Sequence, residues 1–148
     1  MKKFVLLVLL VIPTLSSAQT TQLDSTLNKF VTEWLGRPYK LGGKTEKGID
    51  CSQFTKRLYQ DVFNLVLPNV AYLQWNYTVR VAKEAMQIGD ILFFRSKASP
   101  SGWHCGIYLG DNKFVHAAGK KEGVIISEFM GTPYQYKFRG AGRPKEKM

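Results

Sequence analysis

Apolar residues recur at helical spacing in two early stretches and in short strand-like runs thereafter. Leu23, Leu27, Phe30, Val31, Trp34 and Leu35 fall on one stripe, with Gly36 and Pro38 where a helix stops. A second stripe runs through Phe54, Leu58 and Val62, and Cys51 lies on the same side, in the first turn. Asp50 stands at the N-cap, and Gln53, three residues after Asp50, suits a capping box. This helix is expected to end near Asn64, with Leu67-Pro68 beyond it. Asn69 to Val81 fits a short helix or a loop. Its Tyr72, Trp75 and Tyr77 fit core packing or a ligand groove, and periodicity does not choose.

From Ile88 the period changes to that of strands. Ile91–Phe94, Trp103–Leu109, Phe114–Ala118 and Val124–Ser127 are predicted strands, with a hairpin turn at Gly110-Asp111-Asn112. Tyr134–Arg139 is a predicted last strand, and Gly140–Met148 a basic tail. Helices first and antiparallel strands second predict an α+β fold: N-terminal helices packed on a mainly antiparallel sheet.

Charge and address narrow the class. Met1-Lys2-Lys3, an apolar run from Phe4 to Ile12, then small residues at Ser16 and Ala18 form the pattern of a secretory leader. Residues 1–18 are therefore expected to be a signal peptide and 19–148 one domain, periplasmic or secreted. No second apolar run is long enough to span a membrane. No cysteine lies near the cut, so a lipid anchor is not expected. The formal charge is +10 and falls to +8 when Lys2 and Lys3 leave with the leader. Such a balance suits polyanionic surroundings. Export and the lack of a nucleic-acid motif argue against nucleic acid, and a monomer is expected.

Chemistry rests on few residues. Cys51 at a helix N-terminus gains thiolate character from the dipole and the free N–H groups, which makes an activated nucleophile; a buried structural cysteine is the alternative. The chain has two histidines, His104 and His116, both in the predicted hairpin. If Gly106 pairs with His116, the two rings share a face; a one-residue slip separates them. One cysteine with two histidines supplies a nucleophile, a base and an orienting group. A zinc site is the competing reading, since zinc takes such ligands with one position open. The helix terminus already activates the thiol, so no metal or other cofactor is called for. Strand alternation turns Cys105 away from His104. Cys105 is accordingly expected to be a packed thiol and not a disulfide partner for Cys51.

The ordered set of pieces resembles the NlpC/P60 family of cysteine peptidases, which cut the peptide stems of bacterial cell walls. The pieces are Arg37-Pro38-Tyr39 with Gly42-Gly43, Gly48-Ile49-Asp50-Cys51-Ser52, Leu67-Pro68, Gln74 and Gly89-Asp90-Ile91-Leu92-Phe93-Phe94. They continue with His104-Cys105-Gly106-Ile107-Tyr108-Leu109-Gly110, Phe114-Val115-His116-Ala117 and Gly123-Val124-Ile125-Ile126-Ser127. The pattern is nearest to the small single-domain murein endopeptidases of the Spr type. The resemblance implies a papain-like core, with Cys51 as nucleophile, His104 as general base and His116 as third polar residue. It implies Tyr39 as an oxyanion donor beside the Cys51 N–H, and Ser52, Gln53 and Gln74 near substrate. The partner it implies is the peptidoglycan peptide stem, cut by an endopeptidase at the D,D cross-link or at the bond after D-glutamate. The rival readings are a degenerate module that binds wall peptide and an amidase or acyltransferase on the same scaffold. Gln53 replaces a usual Gly, Asn69 a frequent Arg, Cys105 a small aliphatic or Thr, and Ile88 a usual Pro.

Overall fold

The computed structural model describes residues 16–147, and the side chains of residues 22–146. Most of the expected leader lies outside the described residues. Helix α1 (Ser16–Trp34) precedes a small ribbon of β1 (Lys44–Thr45) and β2 (Gly48–Ile49). Helices α2 (Cys51–Phe63) and α3 (Ala71–Tyr77) follow, then strand β3 (Thr78–Val81). The remainder is β4 (Ile91–Arg95), β5 (Trp103–Gly110), β6 (Lys113–Gly119), β7 (Gly123–Glu128), the short helix α4 (Pro133–Lys137) and β8 (Phe138–Pro144). Strands β3 to β8 form one six-stranded sheet in the order β3-β8-β4-β5-β6-β7, with every pairing antiparallel. The α+β expectation holds. No helix among the described residues is long and apolar enough to cross a membrane.

Each helix forms where its caps and stripe direct it. Asp50 caps α2 by accepting from Gln53 N at 2.9 Å, and Asn64 closes the helix in the left-handed conformation, φ 53°. The capping box is only half made, because the Gln53 side chain donates to Asn69 O at 2.9 Å rather than back to the cap. One face of the sheet packs under α1 and α2. There Phe30, Trp34, Phe54, Leu58 and Tyr59 meet Phe93, Cys105, Ile107 and Val115. The other face buries Leu92, Phe94, Phe114 and Phe129, with Tyr134 and Phe138 against them. Burial of a large apolar side chain stabilises by roughly 1.5–3 kcal/mol, so these two clusters hold the sheet and α2 together.

Two expectations are corrected. Of the expected strand Tyr134–Arg139 only Phe138 and Arg139 are strand, as the start of β8; Tyr134–Lys137 is helical, because Pro133 opens α4 and the Thr132 hydroxyl caps it by accepting from Tyr134 N. The presumed tail from Gly140 is instead the body of β8, which sits between β3 and β4. A Cβ on Gly142 would stand 2.2 Å from Thr78 Oγ1, so a residue without a side chain lets the two strands close. The stretch left open at Asn69–Val81 resolves into α3 and β3, with Trp75 packed edge-on to Phe93 at 5.3 Å.

Candidate active site

Cys51 is the first residue of α2, where backbone N–H groups lack helical partners. Asp50 fixes this turn from one carboxylate: Oδ1 accepts from Gln53 N, and Oδ2 accepts from Gly42 N at 2.9 Å. Ser52 Oγ lies 2.9 Å from Asp50 Oδ1 and 3.0 Å from Asn69 O, so its one proton serves either neighbour. The helix start is thereby tied to the loop carrying Tyr39.

The β5–β6 register meets the condition set by the sequence. Ile107 faces Val115 and Tyr108 faces Phe114, which carries on to Gly106 against His116. A Cβ at Gly106 would lie 2.9 Å from His116 Cβ, so glycine makes room for the buried ring. His104 and His116 share a face, and His104 Nε2 lies 2.7 Å from His116 Nδ1. His116 Nε2 lies 2.9 Å from Ser127 Oγ. With Nε2 engaged, Nδ1 of His104 is the nitrogen left for Cys51. The facing nitrogens of the two rings bond each other rather than converging on one ion, which disfavours the zinc reading. Phe94, Phe114 and Tyr134 enclose the pair, with the Phe114 and Tyr134 ring centroids 4.5 and 5.2 Å from that of His116.

The electrostatics differ from group to group. The Cys51 thiol is held well below its ordinary value by a hydrogen bond from the Cys105 side chain, then by His104, and these outweigh the opposing effect of burial. Cys105, fully buried, is pushed the other way by desolvation and by the neighbouring Cys51. His116 is driven well below its ordinary value by burial and then by His104, so it is neutral near pH 7. When His104 carries a proton on Nε2 it donates to His116 Nδ1. The His116 proton then sits on Nε2 and points at Ser127. Tyr39 is raised to about 12 by burial and by the nearby Cys51, which keeps its hydroxyl a donor.

Cys51 opens onto two adjoining depressions of about 310 and 200 Å³, both walled by Tyr39. The smaller also holds His104, so the structure brings Cys51, His104 and Tyr39 to one surface, with His116 behind. Ser52 lines the larger. Gln74 does not reach either. It is 0% exposed, its Nε2 donates to Ser52 O and Pro68 O, and its Oε1 accepts from Thr55 Oγ1 at 2.7 Å. The expected substrate contact at Gln74 is therefore corrected to a clamp on the turn after Cys51; Gln53, half-buried, donates one hydrogen bond to Asn69 O. Cys51 and Cys105 are both free thiols. The expectation for Cys105 is met: it is a packed, unpaired thiol on the face opposite His104, where its Sγ lies 3.6 Å from Thr55 Oγ1 and Gln74 Oε1 and close enough to Cys51 to shift that thiol. Ser127 had no role in the sequence reading. Its signal was strand parity, since Ile125 faces His116 in the β6–β7 register and Ser127 is two residues along, on the same side.

A cysteine at a helix tip, set against histidines on an antiparallel sheet, defines a papain-like α+β domain. The chain belongs to the NlpC/P60 family, whose model matches residues 36–143. It is 45% identical over 102 residues to the murein DD-endopeptidase MepS/murein LD-carboxypeptidase of Escherichia coli K12, covering 69% of this chain and 52% of that one. It is 43% identical over 102 residues to a probable endopeptidase of Haemophilus influenzae, covering 69% and 62%. The chain thus spans little more than half the length of these curated relatives. A crystal structure of an NlpC/P60 family protein from Bacillus cereus superposes with a TM-score of 0.73 at 29% identity, covering 82% of this chain and 40% of that one.

Proposed function

We propose that this domain is an exported cysteine endopeptidase that hydrolyses peptide stems of bacterial peptidoglycan, at the D,D cross-link in preference to the bond after D-glutamate. One observation carries the reading: a buried thiol pushed toward thiolate shares a depression with His104, which is backed by His116 and Ser127. The murein-cutting relatives support the substrate class.

The steps follow from the groups present. The Cys51 thiolate attacks the scissile carbonyl, and the electron pair of its π bond moves to oxygen. The Tyr39 hydroxyl and the Cys51 N–H are the donors for that oxyanion. Collapse breaks the C–N bond, and imidazolium Nδ1–H of His104 gives its proton to the departing amine. Neutral His104 then takes a proton from water, which attacks the thioester and restores thiolate and imidazolium. His116 holds the His104 ring and its tautomer throughout. Ser52 borders the cleft. Residues 1–18 act as the leader, 19–148 as the catalytic domain, and the workplace is the periplasm or the outside of the cell.

The test is digestion of purified cell-wall material under reducing conditions, with fragments read by mass spectrometry. Wild type is expected to release stem fragments and Cys51→Ala to release none while keeping its thermal transition. Intact stems after incubation with folded wild type would overturn the reading.

A further inference from the structure

Beside the Cys51–His104 site lies a larger cleft of about 810 Å³, walled by Arg95, Lys97, Lys137 and Arg139. Among the described residues no acidic side chain lines it. Among the described residues the carboxylate ion pairs fall elsewhere, on Arg57 with Asp61 and Arg143 with Asp90. Four cations therefore converge on one concavity without a protein counter-ion. Two of them have aromatic seats: the Arg139 guanidinium lies 3.9 Å from the Trp103 ring centre and the Lys137 ammonium 5.9 Å from that of Tyr134. Such seats hold a charge in place and lower the ordering cost of binding. Tyr136, 82% exposed, adds an aromatic wall.

The cleft is continuous with the reactive groups. Ser96 and Ala98 wall both it and the depression holding Cys51 and His104, and Arg95 and Lys137 also line the small depression at His104. The depression at Cys51 lined by Tyr39 and Ser52 also shares walls with the cleft, at Ser99 and Pro100, but differs in charge. Its one charged lining residue is Asp50, whose two carboxylate oxygens are both bonded within the protein.

We propose that the basic cleft is a subsite for free carboxylates of an acidic peptide whose scissile bond lies at Cys51. The identity of that peptide as a wall stem rests on the hydrolase reading above. The cleft itself asks for carboxylates carried near the cleaved bond. Concavity and continuity with the nucleophile favour part of the substrate over a phosphate polymer adsorbed on the general basic surface.

The test is calorimetric titration of Cys51→Ala protein, which binds without turning over. The probes are a cross-linked stem peptide with free carboxylates, the same peptide with its carboxylates amidated, and polyglycerol phosphate. Amidation, or the pair Arg95→Gln/Lys97→Gln, is expected to weaken binding roughly 3- to 10-fold, as lost charge pairs of this kind do. The effects overlap, so the pair costs less on the amidated peptide. The pair Lys29→Gln/Lys113→Gln removes equal charge from other surfaces and is expected to change affinity less than about twofold. Equal weakening by both pairs, indifference to amidation, no binding of the acidic peptide, or binding of the phosphate polymer alone would each overturn the assignment. If wild type leaves stems uncut while the carboxylate contrast persists, the hydrolase reading fails and the subsite stands. Cut stems without that contrast give the reverse.

Discussion

The face of the sheet under α2 and the face carrying the histidines are both buried, yet they push their reactive groups in opposite directions. On the α2 side Cys51 is 7% exposed and still inclines to the charged form, because Cys105 and then His104 stabilise the thiolate. On the other side His116 is 0% exposed and inclines to the neutral form, because aromatic rings surround it and its one charged neighbour, His104, repels a second proton. Burial alone decides neither. The groups within hydrogen-bonding distance decide which protonation state the interior accepts. The two faces meet at the start of β5, where His104, belonging by parity to the aromatic side, shares a depression with Cys51.

The largest expected effect tests that meeting point. His104→Ala is expected to lower turnover of murein peptides on the order of 10³-fold or more, as loss of an acid–base partner does. It also removes one of the influences holding the Cys51 thiol down, so the pH midpoint for alkylation by iodoacetamide moves upward. An unchanged midpoint would separate His104 from the thiol and break the comparison.

Next comes the helix tip. Asp50→Ala removes the N-cap and the acceptor for Gly42 N, with an expected loss of about 1–3 kcal/mol in denaturant unfolding. Turnover falls with it, because the turn carrying Cys51 loses its anchor.

The histidine face has a distinct pH signature. His116 has a folded-state value below the ordinary 6.5, so the unfolded chain binds the extra proton first as pH falls. Its contribution is intact above about pH 6.5 and is lost below it, by at most ~1.4 kcal/mol per pH unit. His116→Gln is expected to flatten the fall of the thermal midpoint between about pH 6.5 and 5. An unaltered slope would show that burial does not hold this ring neutral.

The smallest effect belongs to Cys105→Val, which is close in volume and costs less than about 1.5 kcal/mol of stability. It removes the first influence lowering the Cys51 thiol, so alkylation of Cys51 needs higher pH while the fold persists. This sharpens the contrast between two neighbouring buried thiols.

Much of the fold was legible in local pattern. The α2 stripe, the Asp50 cap and the hairpin at Asp111-Asn112 are short-range features, written in residues a few positions apart. The errors fall where neighbours distant in sequence decide. Tyr134–Arg139 has strand composition, yet Pro133 and the Thr132 cap turn its first part into a helix. β8 earns its central place from Gly142 and Ala141, whose small size matters only once β3 and β4 are alongside. Gln74 resembled a polar cleft residue, and only burial showed its amide satisfied within the protein.

By itself the sequence determined the helix tip with its cysteine, the presence of two histidines on one ribbon, and the family, because each is carried by residue type and spacing; the register that puts the two rings on one face came from the folded sheet. Tertiary structure alone decided that Cys105 lies beside Cys51, that Ser127 backs His116, and that four cations share one cleft. Those depend on how far-apart strands and loops are curled against one another. Strand alternation fixes which side a residue takes, while only the folded sheet fixes what waits there.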